Sequence, residues 1–404
     1  MFWLKRLGSL VLGVGLCFLI DMLAHRQNDY TQRLIVFAAL YITLAVSLNL
    51  INGITGQFSI GHAAFYQVGA YAAGYATVTF FSKAHMPPVL WLVLMLLVGA
   101  IVAGLAGFVV GLPSLRLRGD YLAIVTMGFG EIIRIEVQNT PALGGSYGMS
   151  VAPKIQPIWL IWLLAVTCIA VCRNLIKTAH GLPFFAVRED EVASSAMGVN
   201  VTRVKVTAFV IGSMFAGAAG ALLAHYEGFI TGNFFSMDIS FIILTMVVLG
   251  GTGSITGSAV SAAFLFYLPE KLRDLKAPDG TTLSVTAASI AAGLLAVVIA
   301  VAIIKRVLDH SHRPKGIRTL MYLGAIVLAV ISKLIIGAAL SKVQSMNNMR
   351  VEAGQLRMVI FAVTLIVLML LRPQGIFGHH EFSWTWLMKL FGKKPQEPTP
   401  AVAA

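Results

Sequence analysis

Residues 89–112 contain no charged, hydroxyl or amide side chain. A stretch of roughly 20 apolar residues is what a helix needs to cross the hydrocarbon core of a bilayer. In that medium every backbone N–H and C=O must find its partner inside the segment, so an uninterrupted run of this kind commits the chain to helix. Comparable runs recur at 7–24, 34–51, 58–81, 120–138, 157–172, 206–224, 241–268, 283–304, 320–341 and 355–371. Their apolar residues are continuous and do not alternate, which excludes a transmembrane β-barrel.

Composition closes off the other classes. The 404 residues are 58% hydrophobic and 12% charged, where a soluble domain carries about 25% charge. Disorder requires low hydrophobicity and high charge, the reverse of this chain. The expectation is an all-α polytopic membrane protein of about 10–11 apolar segments, some broken or re-entrant. Its 38 glycines suit helices that approach closely in lipid. The net charge of +13 reads as loops facing anionic lipid, not as a nucleic-acid surface. Cys17, Cys168 and Cys172 all lie in apolar runs, as small core residues would. Lys5 and Arg6 ahead of an apolar stretch resemble a signal peptide, but no clean small-residue cleavage site follows, so 7–24 reads as a first spanning helix.

Lysine and arginine set the expected orientation. Arg116 and Arg118, the loop 173–205, the cluster Lys305 to Arg318, and the tail with Lys389, Lys393 and Lys394 should all be cytoplasmic, with both termini inside. Six crossings bring 173–205 inside, and 206–224 then leads out. For 305–318 to be inside as well, 241–268 must enter and return on one side, as a hairpin around Gly250–Ser254. Lys271, Arg273 and Lys276 then fall outside, against the rule. The organisation expected is a permease core at 1–272 with its cytoplasmic loop 173–205, an insertion at 273–354, a final helix at 355–378 and a basic, proline-bearing tail at 379–404.

Two segments are broken by glycine and polar residues: Asn52 to Gln57, and Gly250 to Ser254. They also resemble one another, Gly56-Gln57-Phe58-Ser59-Ile60-Gly61 against Gly253-Ser254-Ile255-Thr256-Gly257. Paired interruptions in two halves point to a transport path at a repeat interface, because irregular backbone at membrane depth must line a cavity or pack on protein. No phosphate-binding GxxxxGK[ST] loop, HExxH, CxxC or GxSxG is present. Glu131 and Arg134 stand three apart on one helix face, the spacing of a side-chain ion pair, with Glu136 nearby. Asp120 is placed to cap the helix starting at Tyr121. Lone His62 sits in the first break as either a core group or a path group. Between two spans, Arg188-Glu189-Asp190-Glu191 through Gly198 reads as a short amphipathic helix at 189–198, acids first and glycine last. Nothing else in the chain is evident to cover its apolar side, which suits a partner protein.

These stretches carry a resemblance. Leu48-Asn49-Leu50 through Gly61-His62-Ala63-Ala64-Phe65, the run Leu115 to Arg134, Arg188–Ala221, Val247–Gly257 and Leu371-Arg372-Pro373-Gln374-Gly375 resemble the LivM-type permeases of branched-chain amino acid ABC importers. The likeness covers about 34–272 and 355–378. Leu143 to Gly148 departs from the family's usual Asn-Gly-rich loop, and 273–354 is extra. The resemblance implies a non-catalytic subunit in a bacterial inner membrane. Its implied partners are a LivH-type permease, two ABC ATPase subunits that hold the ATP and magnesium, and a periplasmic binding protein. It implies ATPase coupling through Arg188, Glu189, Asp190, Glu191, Ala193 and Gly198. A path for a zwitterion would be lined by Gly56, Gln57, Ser59, His62, Thr126, Gly128, Gly250, Gly251, Gly253 and Ser254. Two other cargoes or machines share parts of this pattern: the same architecture for urea or short amides, and a self-sufficient carrier, which would need intramembrane acids that are few here.

Overall fold

The computed structural model describes residues 2–114, 119–273, 284–286 and 350–352. The expected spans at 283–304, 320–341 and 355–371, most of the insertion, Arg116 and Arg118, the cluster at 305–318 and the tail lie outside the described residues.

Among the described residues the apolar runs are helices. In chain order they are α1 (Phe2–Ala24), α2 (Asp29–Asn49), α3 (His62–Ala84), α4 (Pro88–Ser114), α5 (Asp120–Asn139), α6 (Ile158–Lys177), α7 (Leu182–Glu189), α8 (Glu191–Ala196), α9 (Val201–Glu227), α10 (Met237–Gly250) and α11 (Ile255–Arg273). Among the described residues five segments are long and apolar enough to cross a bilayer: Asp29–Ile54, Pro88–Leu112, Ile158–Lys177, Val201–Glu227 and Gly232–Gly250. Helices α3 and α5 have the length but more polar side chains.

Three boundaries differ from expectation. The third helix starts at His62, not at residue 58, because α2 runs into a π-turn at Leu50–Ile54 and Gly56 then takes a positive φ of 72° that ends helical winding. Helix α5 includes Asp120, and Gly119 (φ 56°) occupies the cap position expected of that aspartate. The helix expected at 189–198 is shorter, α8 alone at Glu191–Ala196, and Asp190, whose backbone is extended (φ −156°, ψ 115°), separates it from α7, which ends at Glu189. The second expected break is found: α10 stops at Gly250 and α11 starts at Ile255.

Helices α3, α4 and α9 form the tightest part of the bundle. A Cβ added at Gly69 would overlap the Gly217 backbone, and one at Gly217 would overlap Ala103 and the Gly99 carbonyl. Three helices can therefore meet backbone to backbone at Gly69, Gly99 and Gly217, which is how packing gains van der Waals contact where lipid offers no hydrophobic drive. Helices α10 and α11 fold back on each other as a hairpin: Gly250 abuts Gly257, and the Ser261 hydroxyl donates to the Met246 carbonyl.

Apolar side chains such as Leu40, Phe65 and Phe209 form the core, but the inside also holds polar groups and the outside is apolar. Thr43, Ser47, Asn49, His62, Gln67 and Lys205 are buried, while Leu90, Leu97, Ile101 and Leu105 along α4 are exposed. Cys17, Cys168 and Cys172 are buried free thiols. At the far end, β1 (Met149–Ser150) pairs antiparallel with β2 (Phe229–Ile230), tying the loop after α5 to the end of α9. A second small ladder, β3 (Ser284–Thr286) with β4 (Arg350–Glu352), brings together two points of the expected insertion.

Candidate functional site

The two helix breaks meet. Asn49, the last residue of α2, is fully buried; its amide donates to the Ser254 carbonyl at 2.9 Å and accepts from the Gly253 N–H at 2.8 Å. Gly53 lies so close to the Gly253 nitrogen that a Cβ there would overlap it. Backbone left unpaired by one break is thus satisfied by the other, as membrane depth demands.

Each interruption also has its own internal scaffold. Asn52 pairs with both backbone groups of Ser59, accepting from its N–H at 3.2 Å and donating to its carbonyl at 2.9 Å. The Ser254 hydroxyl accepts the Gly257 N–H at 3.1 Å, so it caps α11. Gly251 and Gly253 adopt positive φ angles of 111° and 97°, which make the four-residue turn possible.

Helix α5 packs beside the first break. The Ile60 N–H donates to Thr126 Oγ1 at 3.1 Å, and Gly61 approaches the Thr126 carbonyl with no room for a side chain. His62, buried at the start of α3, bonds Ser47 Oγ through Nε2 at 2.8 Å, while its Nδ1 has no partner among the described residues. Buried Ser59 Oγ and Gln57 Oε1 are unpartnered too. Gly128 does not join this group: it is exposed on α5, with open space around it.

The α7–α8 segment covers the meeting point. Asp190 caps α8, its Oδ1 accepting from the N–H groups of Val192 (2.8 Å) and Ala193 (3.0 Å). Arg188 turns inward, its stem against Gly56 and its guanidinium over Gly253, so it touches both breaks. Glu191 forms an ion pair with Lys205 of α9, whose side chain is only 4% exposed. Gln57 in turn donates to the Lys205 carbonyl at 3.4 Å. Glu189, Ala193 and Gly198 face outward, Gly198 with φ 86°.

Sequence reasoning missed Asn49 and Lys205 as site residues. Asn49 left a signal, a lone amide in an apolar run. Lys205 left none, since it reads as one more basic residue of an inside loop. Among the described residues no group of three or more His, Cys, Asp or Glu side chains could hold a metal ion.

Residues 30–277 match the family model described as branched-chain amino acid transport system / permease component. The chain belongs to this family. Within the permease component family, it is similar to the high-affinity branched-chain amino acid transport system permease protein LivM of Salmonella typhimurium, with 36% identity over 271 residues, covering 58% of this chain and 62% of that relative. It thus spans under two thirds of that protein. A probable LivM permease of Methanocaldococcus jannaschii is 27% identical, with 57% and 78% covered. The Salmonella typhimurium LivH permease is 23% identical, with 57% and 81% covered. No solved structure matches.

Proposed function

We propose that this chain is the transmembrane permease subunit of an ATP-driven importer of branched-chain amino acids in a bacterial inner membrane, beside a LivH-type permease, two ATPase subunits and a periplasmic binding protein. One observation carries the reading: the capped α7–α8 segment is wired through Glu191–Lys205 and Arg188 to both helix breaks, while it exposes Leu182, Val192 and Met197.

Such a segment suits a groove on an ATPase. Exposed apolar side chains gain roughly 1.5–3 kcal/mol each on full burial, and here they sit on a rigid capped turn. The chain itself would bind no nucleotide; ATP and magnesium would be held by the partners. With the N-terminus inside, α7–α8 and the joined breaks fall at the cytoplasmic end and the β1–β2 ladder at the periplasmic end. Nucleotide-driven closure would displace α8, and the Glu191–Lys205 pair would carry that displacement into α9 and Gln57, a rigid-body shift of packed helices. An exchange of access follows when the breaks separate or close.

The test is uptake of labelled leucine by vesicles holding this chain with and without its companion subunits. Uptake confined to the complete set, and dependent on ATP and binding protein, supports the importer reading. Uptake by this chain alone overturns it in favour of a carrier. A complete set that moves urea or short amides but not leucine overturns the substrate.

A further inference from the structure

Glu131 and Arg134 stand on the one helix where charge is hardest to explain. Glu131 is eleven residues into α5, about 16 Å along a helix of about 30 Å at 1.5 Å per residue, so on a spanning α5 the pair lies near mid-depth. The exposed residues of α5 around it are mostly apolar, Ile124, Val125, Ile132 and Ile135, with Gly128 and the charged Glu136 also exposed. Charge at that depth is costly and marks pathways more often than scaffolds. Stability gives little reason for it, because a part-exposed helical pair at i, i+3 contributes only about 0.2–0.5 kcal/mol.

The geometry leaves the pair accessible. Arg134 Nε and Nη2 both converge on Glu131 Oε2, at 2.9 and 2.7 Å, and the two side chains are 26% and 27% exposed. Among the described residues neither has another hydrogen-bond or ion-pair partner. Glu131 also borders a small cleft walled by Gly61, Ala64, Met127, Phe235 and Ser240, at the edge of the first helix break. At about 10 Å³ the cleft holds one water at most, so a solute is admitted only when its walls move apart.

We infer that Glu131 and Arg134 are the substrate-head site of the transport path, Glu131 receiving the ammonium and Arg134 the carboxylate of a zwitterionic aliphatic amino acid. The inference rests on the importer reading above. Opening the pair to admit a zwitterion exchanges one neutral ion pair for two, so no net charge enters the low-dielectric interior and neither protein charge is stranded. The assignment also separates cargo classes, since urea and amides have no charged head to exchange.

The experiment is leucine uptake by the complete complex in proteoliposomes, carrying Glu131→Gln, Arg134→Gln, Glu131→Asp, or the exchanged pair Glu131→Arg with Arg134→Glu. Co-purification of the subunits reports assembly. Each neutralising variant should lower uptake at least about 30-fold, Glu131→Asp should raise the apparent KM about tenfold, and the exchanged pair should stay inactive. Restoration of uptake by the exchanged pair overturns the inference in favour of a structural ion pair. So does an unchanged KM for Glu131→Asp in an assembled complex. A wild-type complex that moves amides and no amino acid overturns the importer reading itself, and this inference falls with it.

Discussion

Asn49 and Gly253 are 204 positions apart, yet the Asn49 side chain accepts the Gly253 N–H at 2.8 Å. That bond joins two helix breaks which would each strand backbone groups if left alone. It makes Asn49 a structural pin between α2 and the α10–α11 hairpin.

Removing the pin should loosen the hairpin. Asn49→Ala leaves the Gly253 N–H unpaired and costs about 1–3 kcal/mol. Asn49→Asp keeps an acceptor but buries a carboxylate in apolar surroundings and costs more. Thermal unfolding of the detergent-solubilised chain, followed by tryptophan fluorescence, should rank the midpoints wild type, then Asn49→Ala, then Asn49→Asp. Equal midpoints would mean the bond carries no stability.

The Glu191–Lys205 pair should respond asymmetrically. Glu191→Gln strands a buried ammonium, a loss of about 3–5 kcal/mol. Lys205→Met removes that ammonium and leaves Glu191 in partial contact with water, so its stability cost should be smaller. In the complete complex Lys205→Met should keep ATP hydrolysis and lose most uptake, because α8 is then disconnected from α9. A double variant no less stable than Lys205→Met alone would confirm the coupling; strict additivity would refute it.

Backbone contact at the glycine triplet admits no side chain. Gly217→Leu must push α3 and α4 away from α9, and overpacking of this kind costs typically about 1–3 kcal/mol. The expected readout is a fall in folded yield by size-exclusion chromatography. Gly128→Leu, on an open face, should leave the yield unchanged.

The exposed side of α7–α8 should matter only in the assembly. Val192→Asp and Met197→Asp change residues that are 67% and 84% exposed, and surface changes are usually within about 0.5 kcal/mol. Thermal stability of the isolated chain should therefore hold, while ATPase co-purification drops. Retained co-purification would place the docking surface elsewhere.

Much of this was legible locally. Among the described residues, long apolar runs located the helices within a few residues, since a chain in lipid has no other way to pair its backbone. Glycine punctuation located both breaks, and the Asp190-Glu191 sequence marked a helix start, although the helix itself is shorter than expected and a separate α7 precedes it. Arg188 entered only through the resemblance, as an ATPase-coupling residue, and no local pattern showed that its side chain lies against both breaks.

Local pattern could go no further. Helix formation, capping and glycine turns depend on residues within about four positions of each other, so the sequence by itself determined the membrane class, the spans and the interruptions. Which break meets which, whether Lys205 is one more surface charge or a buried link, and which face of α5 stays open depend on contacts between helices far apart in the chain. Only the tertiary structure decided those, because a helix of given periodicity can turn any side toward its neighbours until close backbone approach, as at Gly53 and Gly253, and the pairing of buried polar groups, as at Asn49, leave one arrangement without clashes or orphaned hydrogen bonds.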